Sequence, residues 1–240
     1  MDFPREKSGI WFWKIGYRLN WFTTLLLGKS RTLKALLTLH RMIGRFSHEL
    51  SGEIYRSEYH NSAFALSKEK LLSAITSNDR VLDVGCGNGR FSQISSTKAR
   101  EVISIDHNSE HFEDPNFSAA NIKTIKFDID EDFSSLGKFE LALLIHILEH
   151  VENPQSLLAR LSKITQELII EVPDLESDPL NWVRIQVGLD YSSDNDHVRE
   201  YTQDLISADL QNTGWKILDV QKRGGAILIF ASNMNKHSVL

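Results

Sequence analysis

The sequence is short of sulfur: it has one cysteine, Cys86, in 240 residues. An internal disulfide and a cysteine-rich metal centre are therefore excluded, and a reducing compartment suits the chain. No stretch of about 20 residues is both apolar and uncharged. The one long candidate, residues 11–27, is interrupted by Lys14, Gly16, Arg18 and Asn20, so a membrane span is not expected. No small-residue cleavage site lies near the start, so no secretory leader is expected and a cytoplasmic location follows. Internal repeats and low-complexity tracts are absent as well. Finally, no acidic residue occurs between Lys7 and His48.

What is present is the composition of an ordinary globular protein, 41 % hydrophobic and 25 % charged, with length for one good-sized domain plus an appendage. The net charge of −5 hides an asymmetry. Residues 1–48 carry nine Lys or Arg against Asp2 and Glu6, a balance of +7, which leaves −12 for the remainder. The basic part also holds two apolar runs, WFWKIGYRLNWFTTLLL and LKALLTLHRMIGRF. Trp, Tyr, Lys and Arg together suit one or two interfacial amphipathic helices over 10–46, which would hold the protein peripherally on a membrane surface. An arm packed on the main domain or on a second subunit of a homodimer needs the same amphipathicity. Between Trp13 and Trp21 apolar and polar residues alternate, which is the period of a strand. The polar stretch YHNSAFALSKEK marks the change of character, so the arm is expected to span 1–65 and the main domain 66–240.

The main domain alternates strand and helix patterns. Apolar, β-branched runs fall at 80–85, 101–106, 124–129, 139–148 and 167–172, with helical spacing at 91–99 and 154–164. Strands that are continuously apolar have no wet face, so they predict a parallel sheet covered on both sides. The last two runs, WKILDVQKRG and AILIFAS, meet around Gly224 and Gly225 and predict an antiparallel hairpin.

The most pointed feature is VLDVGCGNGR, which packs three glycines into five positions after an apolar run. A phosphate-binding loop would need Gly-Lys-Ser/Thr four residues further on, and GKS at 28–30 lacks the upstream glycine and strand. A dinucleotide fingerprint would place its third glycine where Arg90 stands. The loop Gly85-Cys86-Gly87-Asn88-Gly89 is thus poorly shaped for a pyrophosphate. Asp83, just before it, would repel phosphate and attract a cationic group.

These residues resemble motif I of the class I S-adenosylmethionine-dependent methyltransferases, acid-x-Gly-x-Gly-x-Gly. The resemblance extends to four further points over about 150 residues, and the last of them is most like the small-molecule branch. It implies a Rossmann-like, doubly wound, mostly parallel seven-stranded α/β sheet with S-adenosylmethionine as cofactor. Asp83, Gly85, Gly87 and Gly89 would form the cofactor loop. Asp106, 17 residues after Gly89, would accept two hydrogen bonds from the ribose diol. Asp128 would meet the adenine amine, and the backbone of Ile129 the ring. LLIHILEHVENP would end strand four, and HVREYTQDLISADLQNTGWKI would supply the helix before strand six.

Methyl transfer mainly requires alignment of a nucleophile and exclusion of water. A hydroxyl acceptor also needs a base, for which His146 and His197 are candidates. His150, beside Glu149, fits a hydrogen-bonding role at a helix start. No metal ligand set is expected. Residues 144–147 read Leu-Ile-His-Ile, without the Asp/Asn-Pro-Pro-aromatic motif of exocyclic-amine methylation, and the domain is acidic. The expected acceptor is therefore a small or lipid-linked molecule, methylated at oxygen, and not a nucleic acid. Two other readings stay open, a noncatalytic methyltransferase-like scaffold and a nucleic-acid-binding protein led by the basic arm.

Overall fold

A computed structural model describes residues 10–63, 66, 68–191, 194 and 196–235. By internal contacts the chain divides into two units, Met1–Arg56 with Pro179–Tyr191, and Ser57–Asp178 with Ser192–Leu240. The boundary expected at 65/66 falls largely outside the described residues.

The first unit holds α1 (Ile10–Leu27) and the greater part of α2 (Lys29–Ala63), which are separated by Gly28. Gly28 has φ +79°, and its amide donates to Thr24 O at 3.0 Å, the left-handed glycine stop of a helix. The strand-like alternation around Trp13–Trp21 does not make a strand. An unpaired strand would leave its amides without partners, whereas a helix satisfies them internally. α2 also runs on beyond residue 46 to Ala63. The insert helix α6 (Leu180–Gln186) is tied to α2. Arg184 donates to His40 Nδ1 at 2.9 Å, and Arg41 pairs with Asp190 at 2.7 Å. Along α1 and α2 large apolar side chains remain exposed, among them Tyr17, Trp21, Phe22, Leu25, Leu36, Ile43 and Phe46. No described helix is long and apolar enough to cross a membrane.

The second unit is built on a seven-stranded sheet: β1 (Arg80–Val84), β2 (Glu101–Asp106), β3 (Ile122–Lys126), β4 (Phe139–Ile145), β5 (Thr165–Pro173), β6 (Trp215–Arg223) and β7 (Ala226–Asn233). Their spatial order is β3-β2-β1-β4-β5-β7-β6. The first five are parallel and β7 is antiparallel to both its neighbours. The core has two faces because alternate residues of each strand point opposite ways. Leu82, Val84, Ala142, Leu144, Leu168 and Ile170 pack in one cluster with α5 (Pro154–Leu161) and α7 (Gln203–Asn212). Val81, Leu141, Leu143 and Ile169 pack in the other, with Leu71 of α3 (Lys68–Ala74) and Ile94 of α4 (Arg90–Ser96). Burial on both faces explains the continuous hydrophobic runs. The edge strands β3 and β6 are mostly exposed or half-buried and carry Lys123, Lys126, Lys216 and Lys222, which discourages further pairing.

Two crossovers lack the helix that strand-helix alternation predicts. Only 3₁₀ turns, Ser109–Glu113 and Pro115–Phe117, link β2 to β3, and only Phe133–Leu136 links β3 to β4. Asn108, Asp114 and Asp132 cap these turns by accepting from backbone amides two residues on, a local bond that competes with helix. β3 also ends at Lys126, short of the Asp128-Ile129 end read from the sequence.

Candidate active site

β1 lies between β2 and β4, so the chain leaves it in one direction and returns on its other side. Ligands of open α/β sheets bind at such a reversal, beyond the carboxyl ends of the strands. A cavity of about 290 Å³ opens there, lined by Asp83, Gly85, Cys86, Gly87, Asn88, Arg90, Phe91, Ile145 and His146.

The three glycines of the loop have different work. All have positive φ, +62°, +50° and +75°. A Cβ on Gly85 would stand 2.0 Å from Ile147 Cδ1, and one on Gly89 would stand 2.4 Å from Phe117 Cζ. These two let neighbouring side chains close against the loop. A Cβ on Gly87 would meet nothing within 4 Å. Gly87 is the bare backbone that faces open space, so it is where a ligand can press on the chain.

Two carboxylates organise this loop. Asp106 is buried; one oxygen accepts from Gly87 N at 2.9 Å and the other from Asn108 N at 2.9 Å. Asp83 is buried at the end of β1 and accepts from Ser92 Oγ at 2.5 Å, and Ser104 donates to Ser92 at 2.8 Å. Burial, opposed by the Ser92 bonds, raises the Asp83 carboxyl to about 7. Burial and the two aspartates push the Cys86 thiol far up, so it stays protonated and inert.

At the end of β4, His146 is the only described residue other than glycine with positive φ, 56°. Its ring is clamped between two carboxylates, with Nδ1 3.0 Å from Glu149 Oε1 and Nε2 3.2 Å from Glu171 Oε1. Burial alone would lower this imidazole, but the carboxylates outweigh it and raise it to about 9. At neutral pH the ring therefore holds its proton, and it donates to its neighbours. Glu171 is fully buried and also accepts from Leu66 N at 2.7 Å.

The remaining sequence candidates lie elsewhere. Asp128 is exposed past the end of β3, accepting from Asp130 N at 2.9 Å. Ile129 packs against the core, and its carbonyl accepts from Arg160 at 2.6 Å. Neither borders the cavity. His197 does not either; its Nδ1 is 2.8 Å from Glu200 and its ring stands edge-on to His150, 4.7 Å between centroids. Glu149, His150 and His197 bring ligating atoms within 4.8 Å of one another, a grouping across 47 residues of sequence that spacing does not reveal. The sequence reading also missed Glu149 and Glu171 as partners of His146. Glu171 interrupts the buried run Leu168–Val172 of β5, and a lone acid in such a run was the signal available.

Residues 55–220 match a family described as a methyltransferase domain. A stretch of 118 residues is 30 % identical to the O-antigen chain terminator bifunctional methyltransferase/kinase of Escherichia coli, covering 42 % of this chain and 16 % of that protein. Another, of 120 residues, is 27 % identical to the ubiquinone biosynthesis O-methyltransferase of Erwinia tasmaniensis, covering 47 % of this chain and 49 % of that one. The match thus spans half or less of each relative's length. Among solved structures, the N-methyltransferase NodS of Bradyrhizobium japonicum in complex with S-adenosylhomocysteine is similar with a TM-score of 0.53 at 15 % identity, over 69 % of this chain and 83 % of that one. At that identity the likeness is one of fold.

Proposed function

Since the chain belongs to the class I S-adenosylmethionine-dependent methyltransferase family, we propose that it methylates a hydroxyl of a small or lipid-linked acceptor. The observation that carries this reading is Gly87, whose backbone faces open space on the wall of the cavity beyond β1 and β4. The buried carboxylate of Asp106 fits the same purpose, because it already fixes the loop and can accept further bonds from a diol. When bound, S-adenosylmethionine supplies a methyl activated on a sulfonium. The chain's part is to hold that group and orient it, with Gly85, Gly87 and Gly89 shaping the loop and Asp106 gripping the ribose. Asp83 faces the cavity as a carboxyl that a cationic ligand would drive to its charged form. His146, protonated between Glu149 and Glu171, positions the β4 end and carries positive charge to the cavity wall. An O-antigen chain terminator and a ubiquinone-biosynthesis O-methyltransferase among the relatives support an oxygen acceptor of small or lipid-linked kind.

The arm, residues 1–65, completes the proposal as an element that lies on an anionic bilayer. Its exposed apolar side chains are accompanied by eight basic residues from Lys7 to Arg45 and no acid between them. That charge complements anionic lipid, towards which the acidic remainder of the chain would be repelled. The side chains of Trp11 and Trp13, part of the same pattern, lie outside those described.

Radiolabelled S-adenosylmethionine, incubated with the full chain and either quinol or lipid-linked glycan acceptors, tests the transfer. Label should enter the organic phase as a base-stable methyl ether. Label only in protein, nucleic acid or water would overturn the acceptor class. Flotation with anionic and neutral vesicles tests the arm, using wild type and a Trp21→Glu, Leu25→Glu variant at positions 67 % and 68 % exposed. Flotation with anionic vesicles alone, lost in the variant, is expected. Absence of flotation, with a wild-type dimer that the variant makes monomeric, would mean the arm is an assembly element.

A further inference from the structure

Beside the cavity lies a cluster that the cofactor reading does not use. Glu149 closes the 3₁₀ turn Leu148–His150 after β4, and its carbonyl accepts from Val198 N at 3.0 Å and Arg199 N at 3.2 Å. Those two bonds bring the 196–200 segment onto the turn and set His197 against His150. The ligating atoms of Glu149, His150 and His197 then fall within 4.8 Å of one another. Two atoms bonded to one ion at about 2.0–2.2 Å stand at most about 4.4 Å apart, so a small closing of this cluster would seat an ion.

A second observation points the same way. Glu149 is fully buried; one carboxylate oxygen meets His146, but Oε2 is buried with no hydrogen-bond partner. A buried carboxylate oxygen left unsatisfied is costly, and such an atom calls for an explanation, an ion among them. The two rings are also oriented as ligands are. His197 Nδ1 is 2.8 Å from Glu200 Oε1 and His150 Nδ1 is 3.3 Å from the Asp196 carbonyl. A metal-bound imidazole almost always places its other nitrogen on a carboxylate or carbonyl oxygen.

We propose that Glu149, His150 and His197 bind one divalent transition-metal cation that takes the acceptor's hydroxyl as a further ligand. Two imidazoles and one carboxylate suit zinc or manganese and leave positions open, as in catalytic rather than structural sites. The acceptor role rests on the oxygen-methylation reading above; the metal site itself does not. Binding to the cation lowers the hydroxyl's pKa, so its proton passes to water. The oxygen's electron pair then forms the O–C bond, while the C–S pair stays on sulfur and turns the sulfonium into a neutral thioether. His146 lines the cavity and touches Glu149, so the cluster adjoins the place where the methyl donor would sit.

The test uses untagged full-length protein, freed of metal by chelation and titrated with Zn²⁺ and Co²⁺ without cofactor or acceptor. One Zn²⁺ per chain should be retained through gel filtration, and Co²⁺ should develop visible absorption bands of nitrogen-oxygen ligation. His150→Ala, at a ring open to solvent, should weaken Zn²⁺ binding by about a hundredfold or more, with S-adenosylhomocysteine affinity unaltered. No retained Zn²⁺ in the wild type, or retention that His150→Ala does not change, would overturn the site. S-adenosylhomocysteine titration in parallel keeps a failure of the methyltransferase reading separate from a failure of the metal site.

Discussion

Replacing Gly87 by alanine separates the ligand-facing role of the loop from its architectural one. The residue has φ +50°, a conformation that costs an L-residue about 1–2 kcal/mol. Its new Cβ would meet no atom within 4 Å, so no clash adds to that cost. The Gly87 amide can keep its bond to Asp106. For a chain of this size such a loss lowers Tm by roughly 2–8 °C. The methyl group would, however, occupy the space where a cofactor meets the backbone, and affinity for S-adenosylhomocysteine should fall by at least about tenfold, or 1.4 kcal/mol. Gly87→Val, bulkier and β-branched, should abolish binding. Gly89→Ala is the control, because its Cβ would stand 2.4 Å from the Phe117 ring and force the loop and ring apart. It should lower Tm well beyond Gly87→Ala. Calorimetric titration and thermal unfolding read both quantities. Undiminished affinity in Gly87→Ala would refute the assignment of this backbone to the cofactor.

Asp106→Ala should weaken cofactor binding by about 1.5–3 kcal/mol, the range for a hydrogen bond to a charged group. It should also cost stability, because two backbone amides, Gly87 N and Asn108 N, lose their acceptor; full affinity in a folded variant would remove Asp106 from the ribose site. Asp83 has a folded pKa raised from 3.8 to about 7, so its contribution to stability is fully present below 3.8 and is lost as pH rises through 7. Asp83→Asn should remove up to about 4 kcal/mol of that decline, seen as a flatter plot of urea midpoint against pH between 4 and 8. A wild-type midpoint that rises over this range more than the variant's would contradict the sign. Cys86 should resist iodoacetamide at pH 8 in the folded protein, because its thiol is held protonated; rapid labelling of native protein would contradict that upward shift.

Much of this was legible in the chain. Strands buried on both faces announce themselves as unbroken apolar runs, and β1, β2 and the β6–β7 hairpin stand where residues 80–85, 101–106 and the Gly224-Gly225 turn place them. The glycine loop was legible because positive φ demands glycine, though only geometry separates Gly87 from its two packed neighbours. In the arm the one or two helices expected over 10–46 are present as α1 and α2, although alternation over nine residues imitates a strand, because a helix satisfies its own amides. Asp128 misled for a related reason: Asx bonds to the next turn end β3 early and turn the carboxylate outward. Glu171 and the Glu149–His150–His197 cluster were out of reach, since their meaning depends on contacts across 25 residues or more of chain.

The central claim is that the loop after β1 holds S-adenosylmethionine and not a dinucleotide. Calorimetric titration of the full chain with S-adenosylhomocysteine, and separately with NAD, tests it most directly. Saturable binding of S-adenosylhomocysteine at one site per chain, absent in Gly87→Val, with no heat from NAD, is the predicted result. Binding of NAD in competition with S-adenosylhomocysteine, or no binding of S-adenosylhomocysteine at all, would contradict it.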